Sequence, residues 1–187
     1  MTVAIIGAGP LGRRLAQDAA QAGFRVILED VMPSSLRHAE QALCEALGPE
    51  AMPLVSFART VEEAVREADL AIDCVPDELE SKLEIFCLLD RMAPPRTVLA
   101  TPSTRLSIAD LASCTYRPDR CVAIAAEAAS LASGESTEIL LRTTSRTSAE
   151  TLALLDRFWR RLGLVPSFAA DPAETASGDY PISEPRR

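Results

Sequence analysis

Thr2-Val-Ala-Ile-Ile-Gly-Ala-Gly-Pro-Leu-Gly12 is the stretch on which the fold turns. A short β-branched run closes on glycine, and Leu11, Leu15, Ala19 and Ala22 then recur at helical spacing. The pattern predicts a strand, a tight turn and an amphipathic helix. Within it, Gly7-Ala8-Gly9-Pro10-Leu11-Gly12 matches G-x-G-x-x-G in the one context where that motif is informative. Gly7 permits the turn, Gly9 lets a pyrophosphate approach the backbone, and Gly12 lets the helix pack closely on the sheet. The unpaired amides and positive end of that helix attract the phosphates. Gly7, Gly9, Pro10, Leu11 and Gly12 are therefore candidate cofactor-binding residues.

Downstream, Gly23 stops the helix and a second strand is expected over 25–29. Asp30 ends it, 18 residues after Gly12, close to the ~20-residue spacing of the acid that accepts hydrogen bonds from an adenosine ribose. Its charge would repel a 2′-phosphate, so NAD(H) is expected over NADP(H), with Arg37 nearby in sequence as the opposing feature. If the glycines served only a β-α turn and Asp30 only a solvated strand end, neither would bind anything.

The alternation continues. Helices are predicted over 33–47, 60–67, 77–92, 107–114 and 147–162, and strands over 54–57, 70–75, 97–101, 121–126 and 137–142. Thr60 stands three residues before Glu63, the spacing of a capping box. Buried Val/Ile/Leu-rich strands alternating with helices predict an α/β fold of the Rossmann type, a doubly wound and mainly parallel sheet with helices on both faces. Residues 1–171 are read as one NAD-binding domain and residues 172–187, rich in Pro, Ser and charge, as a flexible tail. Trp159 belongs to the apolar stripe of the last long helix and is read as core.

Composition narrows the function. Lys plus Arg total 19 against 27 for Asp plus Glu, a formal charge of −8, and no basic run exceeds two residues, so nucleic acid is not an expected partner. Five cysteines without a C-x-x-C pair or a histidine cluster predict neither a zinc site nor a disulfide framework, and no metal is expected. No stretch approaches the ~20 apolar residues of a membrane span, and residues 1–6 lack a basic leader. A soluble, cytoplasmic protein is the expectation.

From about Val3 to Asp171 the sequence resembles the NAD-binding domain of the 3-hydroxyacyl-CoA dehydrogenases. The blocks that carry the likeness are 3–12, Ala68-Asp-Leu-Ala-Ile-Asp-Cys-Val-Pro-Asp-Glu-Leu-Glu-Ser-Lys82, Leu88-Leu-Asp-Arg-Met-Ala-Pro-Pro95, Thr97-Val-Leu-Ala-Thr101, Ser107-Ile-Ala-Asp-Leu-Ala112 and Arg117-Pro-Asp-Arg-Cys-Val122. By position, the resemblance places cofactor contacts on Asp30, Val75, Asp77, Lys82 and Thr104. For Lys82 an exposed helix lysine is an equal alternative.

The chemistry departs from the family's pattern. Dehydrogenases of this kind remove the hydroxyl proton with a histidine oriented by a glutamate, so that hydride can leave for the nicotinamide. Here the expected His-x-x-Asn-Pro reads Ala125-Ala-Glu-Ala-Ala129, with Ala125 where the base should be. Glu138 is the candidate for the orienting glutamate, with a solvated strand residue as the alternative, and Thr104 is the candidate hydroxyl in Thr101-Pro-Ser-Thr-Arg105. These two are the candidate catalytic residues. His38, the sole histidine, falls on the adenosine side, and Glu127 could act as a base only if burial raised its pKa. The resemblance also implies a following helical substrate domain, which is expected to be missing. Two functions are compatible with these features. One is an oxidoreductase acting on a 3-hydroxyacyl-CoA or related hydroxy acid; the other is a non-catalytic NAD(H)-binding or self-associating module. An acyl-CoA ligand and a homo-oligomer fit within them.

Overall fold

A computed structural model describes residues 1–126 and 137–176. In chain order the elements are β1 (Thr2–Ile6), α1 (Pro10–Gln21), β2 (Arg25–Glu29), α2 (Pro33–Ala46), β3 (Val55–Ala58), α3 (Val61–Val65), β4 (Leu70–Asp73) and α4 (Leu79–Met92). There follow β5 (Val98–Pro102), α5 (Ile108–Ser113), β6 (Cys121–Ile124), β7 (Glu138–Thr143), α6 (Ala149–Arg161), β8 (Val165–Ala170) and α7 (Pro172–Ala176). The strands form one sheet in the order β3-β2-β1-β4-β5-β6-β7-β8, parallel throughout except where β7 runs antiparallel to β6. The Rossmann-type, mainly parallel sheet expected from the sequence is what forms.

Strand side chains alternate between the two faces, and the two cores divide accordingly. Val3, Ile5, Val26, Leu28 and Ile72 pack on one face against Leu15 of α1, Leu43 of α2 and Phe158 and Trp159 of α6. Ala4, Ile6, Ile27, Ala71 and Leu99 pack on the other against Val65 of α3, Phe86 of α4 and Leu111 of α5. Trp159 is 1% exposed, as core as its sequence position suggested. The predicted cap also forms: Thr60 Oγ1 accepts from the Glu63 amide at 3.2 Å.

Strand β8 was not anticipated. Its Val165-Pro166-Ser167 start has neither the alternation nor the composition of an interior strand, because it lies at the sheet edge. The amides of Val165 and Asp171 donate to Thr137 O and Thr143 O, so odd-numbered amides face β7 and Pro166 faces outward, where no donor is required. The segment read as a tail begins instead with α7. Asp171, 1% exposed, anchors it: Oδ2 accepts from Ile108 N, Ala109 N and Ser107 Oγ at the start of α5, while Oδ1 accepts from Ala173 N. The rest of that predicted tail, residues 177–187, lies outside the described residues.

Glu29 is an acid in a core position. It closes β2 at 5% exposure, on the same face as Ile27, where α3 packs across β1, β2 and β3. Burial, with the neighbouring Asp30 charge adding to it, pushes the Glu29 carboxyl up to about 7. The folded chain therefore holds this proton more tightly than the unfolded chain does. The associated stability is fully present below the ordinary glutamate value and is lost as pH rises through about 7. Glu29→Gln is expected to raise Tm by a few degrees at pH 8, about 1–3 kcal/mol, and to change it little at pH 4. Thermal melts of both proteins across that range check this, and parallel Tm curves would contradict it.

Candidate functional site

The chain's direction of travel across the sheet reverses between β1 and β4, and the C-terminal ends of the strands meet there in a crevice. Its floor is the turn between β1 and α1. Gly7 has φ +106°, and a Cβ there would lie 3.2 Å from the Cys74 carbonyl oxygen. A Cβ on Gly12 would lie 1.8 Å from the Gly7 carbonyl oxygen, so α1 sits on the turn only because position 12 has no side chain. Gly9 differs from both. Its φ is −67° and a Cβ would meet nothing within 4 Å, so the space beside its backbone is open.

Gly9 caps α1, Pro10 takes the first helical position, and the first amide drawn into the helix is that of Arg13, which donates to Gly9 O at 3.0 Å. The amides of Leu11 and Gly12 consequently lack intrahelical acceptors, as first-turn amides do. Asp30 braces the turn: Oδ2 accepts from the Ala8 amide at 2.9 Å and Oδ1 from the Met32 amide at 2.8 Å. The Gly7 amide donates to Glu29 O at 2.8 Å. A carboxylate has about four acceptor sites, so Asp30 can still receive ribose hydroxyls. Arg37 and His38 are exposed on α2.

Beyond β4 a charged pair is buried in what reads as an apolar strand. Asp73 is 0% exposed and Lys82 1%, with Lys82 Nζ donating to Asp73 Oδ2 at 3.1 Å and to Val75 O at 3.0 Å. Lys82 is thus not the exposed helix lysine of the alternative reading; it reaches back from α4 and ties down Val75. Thr101 Oγ1 donates to the same Asp73 oxygen at 2.7 Å, and the Val75 amide donates to Oδ1 at 2.8 Å. Burial drives the Asp73 carboxyl up, and the Lys82 ammonium and these donors pull it back down. The signal for the pair was available: an aspartate inside Leu70-Ala-Ile-Asp-Cys-Val75 needs a partner if the strand is buried.

Asp77 follows in the same loop. Its Oδ1 is buried without a hydrogen-bond partner, while its carbonyl accepts from Arg105 Nη2 at 3.1 Å. Arg105 and the exposed Thr104 lie in the loop between β5 and α5. Arg142 of β7, 8% exposed, grips this loop from beneath, with Nη2 donating to Ser103 O at 2.6 Å and to Leu106 O at 3.2 Å.

The register of β6 and β7 gives Glu138 its place relative to Ala125. Ala123 pairs with Arg142 and Ile124 with Leu141, and the Ala125 amide donates to Leu140 O at 2.8 Å. The residue across from Ala125 is therefore Leu140, 41% exposed, and Glu138 is exposed two residues further along the strand. Glu127 lies outside the described residues.

A dinucleotide fits what is present. Open amides at the start of α1 suit a diphosphate, the orphaned Asp77 Oδ1 is an acceptor lacking a hydroxyl, and the space beside Gly9 admits the phosphates. Among the described residues no group of His, Cys, Asp and Glu is arranged to hold a metal, and no helix is long and apolar enough to cross a membrane.

The family model for the NAD binding domain of 3-hydroxyacyl-CoA dehydrogenase matches residues 2–171. The "Probable 3-hydroxybutyryl-CoA dehydrogenase" of Bacillus subtilis (strain 168) is 33% identical over 133 residues, 64% of this chain and 46% of that protein. The mitochondrial hydroxyacyl-coenzyme A dehydrogenase of Sus scrofa is 30% identical over 136 residues, 63% of this chain and 43% of that protein. The chain thus spans less than half the length of these curated relatives. The crystal structure of an (S)-3-hydroxybutyryl-CoA dehydrogenase from Ralstonia eutropha shares the fold at TM-score 0.82 and 21% identity, covering 91% of this chain and 63% of that one.

The three glycines are expected to fail in different ways. Gly12→Ala places a methyl inside the Gly7 carbonyl and should destabilise the fold by about 3 kcal/mol or more. Gly9→Val should leave stability within about 1 kcal/mol of wild type and weaken NADH binding at least about tenfold. Melting curves and calorimetric titration separate the two, and a Gly9→Val protein with undiminished NADH affinity would contradict the assignment of the turn.

Proposed function

The chain belongs to the 3-hydroxyacyl-CoA dehydrogenase family through its NAD-binding domain, and on that premise we propose that it binds NAD(H) without supplying the base that hydroxyacyl oxidation needs. One observation carries this reading. The position at the end of β6 where the family's base is expected holds the methyl group of Ala125, and the residue paired across from it is Leu140, an isobutyl group. A methyl and an isobutyl group cannot accept a hydroxyl proton, and general-base catalysis accounts for about 10²–10⁴ of rate where it operates.

In this reading the amides around Gly9, Leu11 and Gly12 hold the diphosphate, and Asp30 takes the adenosine ribose while bracing the turn. Asp77 offers its orphaned Oδ1 to the second ribose. Lys82 acts indirectly, by fixing Asp73 and the Val75 carbonyl, and Thr104 faces the nicotinamide end. NAD supplies a hydride acceptor when bound, and NADH a donor; the chain supplies position and potential.

The second reading is an oxidoreductase acting on a 3-hydroxyacyl-CoA or a related hydroxy acid with substituted catalytic residues. The exposed hydroxyl of Thr104, in the loop bracketed by Arg105 and Arg142, favours it. An acyl-CoA is then a second ligand, and a separate base must take the proton as hydride leaves.

Calorimetry is expected to give saturable binding of NADH, with no oxidation of NADH by acetoacetyl-CoA above buffer from about pH 6 to 9, the range in which a general base would titrate. Turnover at any pH in that range would overturn the first reading in favour of the second. An absence of binding heat at millimolar nucleotide would overturn both.

A further inference from the structure

Two of the five cysteines stand together in a place that the cofactor crevice does not use. Cys87 lies on α4 and Cys114 closes α5, and both are half-buried along the seam where these helices pack. The Cys87 thiol donates to the Cys114 carbonyl at 3.7 Å. The Cys114 thiol lies 4.0 Å from the carbonyl of Leu83, one turn before Cys87 on α4, and donates to Leu111 O at 3.0 Å. Each sulfur thus reaches the other's helix, and the two thiols are hydrogen-bonded to each other. The remaining cysteines are placed differently. Cys44 is exposed on α2, Cys74 follows β4, and Cys121, the third sulfur nearby, is 0% exposed and donates to Arg117 O.

A fully buried free thiol is ordinarily a small apolar filler. Cys87 and Cys114 are instead partly open to solvent, adjacent in space and 27 positions apart in sequence. Burial pushes the Cys114 thiol up to about 12, and the neighbouring Cys87 thiol adds to the effect. Cys114 therefore stays protonated near neutral pH, and first attack on an electrophile falls to Cys87. Once Cys87 is captured, Cys114 is already held against its sulfur. That proximity offsets a small thiolate fraction, and a thiolate of high pKa is the stronger nucleophile.

We propose that Cys87 and Cys114 form a reversible disulfide, made by exchange with a low-molecular-weight disulfide, that staples α4 to α5. In the first step the Cys87 thiolate attacks one sulfur of the small disulfide, giving a mixed disulfide and releasing one small thiol. In the second, the Cys114 thiolate attacks the Cys87 sulfur and expels the other small thiol. Two protein thiols are oxidised, one small disulfide is reduced to two thiols, and the two cysteine protons end on the departing thiolates. Helix α4 follows the loop that carries Asp77, and α5 follows the loop that carries Thr104, so the staple joins the two helices behind the crevice. It modifies the scaffold and does not depend on nucleotide binding.

Glutathione disulfide is the probe. The full chain, incubated with it at millimolar concentration, alkylated in denaturant and digested, is expected to yield a cross-linked peptide joining Cys87 to Cys114. Its Tm should rise by about 5 °C or more, because closing a loop of this length restricts the unfolded chain, and should fall back on addition of dithiothreitol. Cys114→Ser should stop at a glutathione adduct on Cys87, and Cys87→Ser should show neither the cross-link nor the gain in Tm. The proposal is overturned by a persistent glutathione adduct on Cys87 of the wild type, by a cross-link that joins either cysteine to Cys121, or by thiols at 87 and 114 that both stay free. A cross-link between 87 and 114 with no rise in Tm also overturns it, since no staple has then formed. The wild-type peptide map and melt decide the matter even if a serine variant does not fold.

Discussion

The contact between α1 and the turn beneath it governs the molecule. A helix that comes so near the Gly7 carbonyl that position 12 has no room for a methyl group is locked in angle and depth against β1. Its first amides then point into the crevice between β1 and β4 at a fixed height. Asp30 and Glu29 close the arrangement from β2, one through its carboxylate on the Ala8 amide and the other through its carbonyl on the Gly7 amide. The cradle is built largely from backbone, with a single acid as its brace.

Around that cradle the loops are positioned by buried polar groups. Lys82 and Asp73 pin the start of the β4–α4 loop, Asp171 pins the start of α5, and Arg142 pins the loop before it. The first joins consecutive elements, and the other two tie elements far apart in sequence. Removing one partner of a buried ion pair leaves an uncompensated charge and typically costs about 3–5 kcal/mol, so such ties specify geometry more firmly than apolar contacts of equal area. Asp171 and Arg142 differ in kind from that pair, since their partners are backbone dipoles and a hydroxyl.

Local chemistry explains which parts of this were legible in the sequence. The glycine turn, the Thr60 cap and the alternation of strands and helices all depend on neighbours within a few residues, and each forms as expected, with Asp30 at the end of the second strand. Strand β8 escaped notice because an edge strand tolerates Pro166 and needs only one buried side. The depth of Lys82 and the partnerships of Arg142 and Asp171 are set by residues 9 to 64 positions away, which no periodicity encodes. The placement of Glu138 relative to Ala125 has the same origin, because antiparallel register between β6 and β7 is a tertiary fact.

The separation between binding and chemistry follows from what each is made of. Holding a dinucleotide requires backbone amides, absent side chains and two carboxylates, and these sit on rigid strand ends where substitution at Gly7 or Gly12 strains the fold itself. Proton removal requires one imidazole-like group at one strand end, and nothing in the packing of β6 resists an alanine there: Ala125 still makes its backbone bond to Leu140. On the proposed reading, substitution in the cradle is opposed by stability, whereas alanine at position 125 is not.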